Sequence, residues 1–409
     1  MSGSYVMAAL RTPIGNFGRG LAGVAAPDLG AILVREFLLR EVCCPDEVDE
    51  VIFGNVLQAG LGMNSARQAA VRGGLPYEVP AFTVSMVCAS SLQAVVLADR
   101  AIRGEHAETV IAGEFENMSR EPFLLSNMRW GTPLGDGKVT DELLLDGLWD
   151  CFYDCHMATT VERLAAAREI SRREQDESAA ESHRRAIAAA QGGQFSDEIV
   201  AVDTPAGRLE TDEHPRADSS LERLSALKPS FAKDGTITAG NSSGLNDGAA
   251  ALVLSHCKTH GGQAALAEVV DCVVVGVDPQ EMGLAPVPAI TELLSRNHLY
   301  PKDIGLWEVN EAFAGQVLAV LRELPLPTEL LNINGGVIAL GHPIGCSGAR
   351  ILVTLVREMA RRRSSLGLPQ CVPEEASEWP FSCETADDRG PLETWSEADK
   401  TDEQNRRSA

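Results

Sequence analysis

Along residues 5–112 the spacing of apolar positions switches repeatedly between two periods. Residues 5–12 and 48–56 are short continuous apolar runs of the kind made by buried strands, whereas 27–39 and 64–73 place apolar residues three and four apart, as on a helix with one buried face. The segments 80–88, 92–103 and 109–112 repeat strand, helix, strand. Such alternation predicts an α/β unit with a largely parallel sheet. From residue 114 to about 239 the period is lost among Met, Trp, Gly and charged residues, with one long helix expected at 171–191. Small, apolar, Gly-rich sequence returns at 238–254, where a helix is expected over 247–254, and a linker follows at 256–262. A second alternation then runs strand 267–275, helix 288–296, strand 304–309, helix 312–323, strand 331–333, loop and helix.

Composition narrows this further. With 409 residues, 44% hydrophobic content and 37 glycines, the chain can bury a substantial core in more than one domain, or in a duplicated one. No apolar run reaches the roughly 18 residues of a membrane span. Neither a basic secretory leader nor an Arg-rich transit segment is recognisable at the start, and the final Arg407-Ser408-Ala409 is not the peroxisomal S-K-L signal. A cytoplasmic protein is therefore expected. Ten cysteines without a repeating spacing point to reduced thiols. Cys151, Cys155 and His156 lack a C-x-x-C pair and any second ligand pair, so no metal is expected. The net charge of −23 disfavours nucleic acid and anionic membrane as partners.

Two stretches carry candidate chemistry. Residues 334–352 read N-G-G-V-I-A-L-G-H-P-I-G-C-S-G-A-R-I-L, with a helical apolar pattern from Ala349, so His342 lies on a tight loop feeding a helix N-terminus. Glycines let backbone approach a ligand closely, and the helix adds partial positive charge suited to an oxyanion. The alternative is a Gly-rich turn with an incidental histidine. In residues 84–98, V-S-M-V-C-A-S-S-L-Q-A-V-V-L-A, an extended run meets Cys88 just before small residues open a helix. A thiol at that position is either a nucleophile whose thiolate the helix dipole favours, or a buried core cysteine. Together the two stretches favour chemistry.

Cys88 in C-A-S-S-L-Q-A-V, V-N-E-A-F-A at 309–314, A-G-N-S-S-G-L-N-D-G-A-A-A at 239–251, and G-H-P-I-G-C-S-G-A-R-I-L resemble the thiolase family over nearly all of residues 5–368, with the blocks in family order. R-T-P-I-G at Arg11, Q-A-G-L-G at Gln58 and H-M at His156 are most similar to its acetyl-CoA acetyltransferases. The resemblance implies an α/β thiolase-like duplicated fold of two layered α/β halves with an inserted loop domain. One half would span residues 1–113, completed by 240–262; the loop domain 114–239; and the second half 263–372.

The activity it implies is reversible condensation of two acetyl-CoA to acetoacetyl-CoA and CoA, by a homodimer or homotetramer, with no cofactor beyond the coenzyme A thioester substrates. Cys88 would accept the acyl group, His342 would be its base, and Asn310 would order a water at the thioester oxygen. Cys371 would exchange the α-proton of the second acetyl group. His156 and Met157 would line the acyl and pantetheine region, Ser243 would meet the pantetheine arm, and Arg216 would lie near the CoA phosphates. Alternatives within the resemblance are a 3-ketoacyl-CoA thiolase of broader chain length and a catalytically silent CoA-binding subunit.

The chain departs from the family at its end. Cys371 is followed by V-P-E-E-A-S-E-W-P-F, where the family has C-x-G-G-G, a glycine of which helps form the oxyanion hole. Codons for residues 371–381, read so that each new codon joins the last base of one to the first two of the next, are compatible with C-x-G-G-G-[ILV]-G-[MV]-A-[ILV], the family's ending. A frame-shifted or alternatively spliced product, foreign after about Gly367, is one expectation; a divergent natural terminus is the other. The stretch 373–409, with 11 acidic and 4 basic residues and few aliphatics, is expected to be disordered. Ser91, Ala158 and Ala285 also stand where the family has glycine, and would be strained wherever φ must be positive.

Overall fold

The computed structural model describes residues 3–131, 134–371 and 379–384, with Cys371 and 379–384 described by their backbone alone. The first half comprises strand β1 (Ser4–Arg11), helix α1 (Ala26–Leu39), β2 (Glu50–Gly54), α2 (Ser65–Gly73), β3 (Ala81–Val84), α3 (Ser90–Arg103) and β4 (Thr109–Asn117). The long irregular stretch that follows contains α4 (Met157–Ala167) and α5 (Arg172–Gln191). Ser171 starts α5 with a reciprocal cap: its hydroxyl accepts from the Glu174 N–H, and the Glu174 carboxylate accepts from the Ser171 N–H. The chain returns through β5 (Asn246–Ser255) to β6 (Ala267–Cys272), α6 (Pro286–Arg296), β7 (Leu306–Val309), α7 (Ala314–Glu323), α8 (Ser347–Arg362), β8 (Leu366–Cys371) and β9 (Trp379–Glu384).

Among the described residues these strands form one sheet in the order β7-β8-β9-β6-β1-β5-β4-β2-β3, with Gly15–Asn16 pairing beside β5. Residues Ser4–Val6 of β1 pair with Ala267–Val269 of β6 and so join the two halves. The sheet is mixed: β2 runs parallel to β3 and β4, and β7 to β8, while the other neighbours are antiparallel. The largely parallel sheet expected from the alternation is corrected accordingly.

Its main cause is β5, where a helix was expected over 247–254. The run N-D-G-A-A-A-L-V-L-S is buried at all ten positions, between β1 and β4 and under helices on both faces. A strand covered on both sides needs no polar alternation, so its sequence has no period that separates it from a buried helix. The short strand expected at 331–333 reduces to a single bridge between Trp307 and Leu331.

The tail differs from expectation in one place. Trp379–Glu384 forms β9 between β8 and β6, whereas no packed structure was expected beyond Pro373. Trp379, Phe381 and Cys383 alternate with Pro380, Ser382 and Glu384, a period-two signal hidden by the acidic average of the whole segment. Residues 372–378 and 385–409, on which the rest of that expectation falls, lie outside the described residues.

The layers follow from the burial. Leu33, Val34 and Phe37 of α1 and Ala69 of α2 cover Phe53, Phe115 and Val253 on one face of the first half. Leu92, Val95 and Val96 of α3 meet Ile351, Leu352 and Val356 of α8 on the other face. Ile290, Leu293 and Val317, from α6 and α7, pack with Trp307 and Leu368 in a third cluster. α3 and α8 are thus the shared centre of the molecule, α8 touching β5, β7 and β8. No helix among the described residues is long and apolar enough to cross a membrane.

Candidate active site

Each central helix is entered by a turn carrying a reactive side chain. After β3 the chain makes a 3-10 turn at Val87–Ala89, and α3 begins at Ser90. Val87 has φ of +45°, strained backbone for a β-branched residue, immediately before the buried Cys88. The Ser90 hydroxyl donates to Val87 O (2.7 Å) and accepts from the Met86 N–H (2.8 Å), which holds the turn. In the second half, Gly341 adopts φ of +104°, where a Cβ would lie 2.7 Å from Asn246 Cγ. Only glycine fits there. His342 follows, its backbone N–H donating to Asn246 Oδ1 (2.9 Å), and α8 starts at Ser347.

These turns bring Cys88 Sγ to 3.2 Å from His342 Nε2. On the other side of the ring, Nδ1 lies within hydrogen-bond distance of Ser347 Oγ, which itself reaches Pro343 O at 3.3 Å. A hydroxyl has one proton. If it goes to the carbonyl, the hydroxyl oxygen accepts from Nδ1–H and leaves the Nε2 lone pair toward the thiol. Burial, with Arg350 as a second cause, lowers the His342 pKa to about 3. The imidazole is therefore neutral near pH 7 and free to take the thiol proton. Both groups sit at the N-terminal end of a long helix, where a developing anion is favoured.

The other site residues fall into two groups. Asn310, at the C-terminal end of β7, is buried, and neither its Oδ1 nor its Nδ2 has a partner among the described residues. The chain after it runs beside 241–243: Ser243 N–H donates to Ala312 O (3.0 Å), and Ser242 bridges Phe313. The same strand-like segment continues to Leu245, which bridges His342. Met157 is buried with Val161, Ile237, Met282 and Phe313. His156 caps α4, its Nδ1 accepting from the Ala158 N–H (3.1 Å), and faces Phe231 at 4.6 Å between ring centroids. Ser243, Met157 and His156 thus lie around the 312–313 segment that follows Asn310 in the chain.

Arg216 is exposed on a separate cavity of about 190 Å³, lined also by His183, His214, Ser219, Arg223 and Gly240. Among the described residues it forms no ion pair, whereas Arg223 is paired with Asp218. Burial lowers His183 and His214 to about 4, leaving both neutral. Cys371 ends β8, and its side chain lies outside the described residues.

Ser347 and Asn246 were given no role from sequence, although both stand inside the quoted motifs; the spacing of Ser347 to His342 is the signal that was there to use. Of the three glycine replacements, none has positive φ. Ser91 is accommodated productively: its hydroxyl donates to Gly345 O (2.7 Å) and accepts from the Ala349 N–H (2.8 Å), tying the two central turns together.

A buried thiol facing a neutral imidazole where two halves of a duplicated α/β fold meet is an arrangement suited to acyl transfer through a cysteine. Residues 4–258 match the thiolase N-terminal domain and residues 263–373 the thiolase C-terminal domain. The chain belongs to the thiolase family and is an acyltransferase of that type. It is 47% identical over 375 residues to an acetyl-CoA acetyltransferase of Pseudomonas aeruginosa, a match covering 90% of this chain and 95% of that protein. A probable acetyl-CoA acyltransferase of Staphylococcus aureus is 48% identical over 366 residues, covering 88% and 93%. Among solved structures, the Bacillus anthracis acetyl-CoA acetyltransferase and the human mitochondrial 3-ketoacyl-CoA thiolase each superpose with a TM-score of 0.90 at 40% identity, covering 94% of this chain and 99% of theirs.

Proposed function

We propose that this enzyme is an acetyl-CoA C-acetyltransferase that works through an acetyl-Cys88 intermediate. The observation that carries the reading is the 3.2 Å approach of Cys88 Sγ to a neutral His342 Nε2. His342 takes the thiol proton as sulfur attacks the acetyl carbonyl of acetyl-CoA. The CoA thiolate leaves and is reprotonated from His342, and the acetyl group remains on Cys88 as a thioester. Cys371 then removes a proton from the α-carbon of a second acetyl-CoA, whose carbanion attacks the thioester. Acetoacetyl-CoA forms, and the released Cys88 thiolate takes up the proton that the Cys371 thiolate had removed, which returns both sulfurs to their starting protonation. Asn310, whose amide atoms have no partner among the described residues, suits a residue that orders water at the thioester oxygen. Met157, His156 and Ser243 would receive the acyl and pantetheine portions, and Arg216 the CoA phosphates. Coenzyme A is here a substrate, and the reading calls for no cofactor.

The direct test is incubation with acetyl-CoA followed by peptide mass spectrometry. An acetyl group on the peptide containing Cys88 is expected, and its absence from folded protein would sink the reading. The similarity to a 3-ketoacyl-CoA thiolase keeps a second reading in view, a broader chain-length range. Thiolysis rates measured against acyl-chain length separate them: a steep fall beyond four carbons is expected here.

The enzyme is further proposed to be a cytoplasmic homodimer or homotetramer. Among the described residues β3 lies at the end of the sheet order and pairs with β2 alone, with Phe82 exposed on it, so it offers an edge to a second copy. Light scattering at micromolar concentration is expected to give a mass of at least two chains; monomer alone would refute the assembly.

A further inference from the structure

Side chains alternate along β4, and this places Glu114 and Glu116 on the face that Val110 and Ala112 bury against α3. Two carboxyls therefore occupy core positions directly beneath the two catalytic turns. Both are fully buried. Glu116 is well supplied with donors: Asn55 Nδ2 (2.7 Å) and the peptide N–H groups of Val56 (3.0 Å) and Leu57 (3.2 Å), with the Gly345 N–H also facing it. Glu114 is not. Among the described residues neither of its oxygens completes a hydrogen bond of good geometry, and its polar neighbours include the Ser91 N–H and the Glu116 carboxyl. It is wedged between Gly54 of β2 and Gly345 of the His342 loop, where a Cβ on either glycine would overlap one of its oxygens.

We propose that Glu114 is a positioning residue of the acyl-transfer site, a neutral carboxylic acid that shares its proton with Glu116 and seats the Ser90–Ser91 start of α3 against the Gly345 turn, thereby setting the separation of Cys88 from His342. Two adjacent buried carboxylates cannot both be charged without strong repulsion, and the one lacking donors keeps the proton. Burial first, and Glu116 second, raises the Glu114 pKa well above its ordinary value, while burial raises Glu116 to about 7. Of the other titratable groups, Cys346 on the His342 loop faces both carboxyls, and Glu121 faces Glu116. α3 contributes Ser90 and Ser91, and β2 and the residue after it contribute Gly54 and Asn55, none of them charged. Ionisation of Glu114 at alkaline pH adds a second buried charge and separates the turns.

The inference rests on the Cys88–His342 pair and not on the identity of the acyl donor, so it is tested without acetyl-CoA. The rate of Cys88 alkylation by iodoacetamide is followed by peptide mass spectrometry from pH 6 to 9.5 in wild type, Glu114→Gln and Glu114→Ala. Glutamine mimics the neutral acid at every pH. The Gln-to-wild-type rate ratio is expected to be near one at pH 6 and to rise about tenfold by pH 9.5, because thiol ionisation common to both cancels. Alanine, which removes the wedge, is expected to lower the rate at every pH. A ratio flat with pH, or a folded alanine variant alkylated at the wild-type rate, overturns the proposal. Failure of both variants to fold also overturns it, since Glu114 would then serve the fold and not the site.

Discussion

Cys88→Ala is expected to yield no acetyl adduct and to lower the exchange of labelled CoA into acetyl-CoA by on the order of 10⁶-fold, as loss of a covalent nucleophile does. Exchange needs only the first half-reaction, so the measurement is independent of how well this chain completes condensation. His342→Asn is expected to lower the same exchange by about 10²–10⁴-fold, the usual share of one general acid–base group. The gap between the two has a physical reason: without the imidazole a thiolate still forms at some rate at the start of α3, whereas without the thiol no acyl-enzyme bond is available. The two losses should not add in the double variant, because both groups act on one proton and one bond. Equal exchange in Cys88→Ala and wild type would show that the acetyl group is carried elsewhere.

The parts of the site legible in sequence were those whose function imposes a local pattern. A reactive residue at a helix entrance needs small neighbours, and both Cys88 and His342 are flanked by them. Asn310 and Ser243 became candidates only through resemblance, since one amide or hydroxyl in a loop carries no pattern of its own. What escaped was set by tertiary context. The run of residues 246–255 became a strand because it is covered on both faces. The partner that orients His342 was invisible because contact between Ser347 Oγ and Nδ1 depends on how the loop folds back. Glu114 and Glu116 read as the point where apolar periodicity stops. In three dimensions the same alternation continues through them, carrying two carboxyls into the core.

Restoring the family's ending is expected to change turnover more than acylation. Cys88 and His342 meet entirely within residues up to 362, in the packed centre formed by α3 and α8, so the Cys88 acetyl adduct should form in the present chain. The G-G-G that follows the second cysteine in the family supplies a backbone N–H to the oxyanion, and here those positions hold Pro373, Glu374 and Glu375. Proline has no N–H to give. Loss of one oxyanion donor costs about 10²–10³-fold in rate. The triple variant Pro373→Gly, Glu374→Gly, Glu375→Gly is therefore expected to raise acetoacetyl-CoA formation about a hundredfold or more, with a smaller gain in CoA exchange. Cys371→Ala in that background should remove condensation again while leaving the Cys88 adduct intact, because the α-proton has lost its base but the nucleophile has not. Acetoacetyl-CoA formation that is already rapid in the present chain, and unchanged by the three glycines, would mean that the segment ending in β9 supplies the closing strand's function with a different sequence.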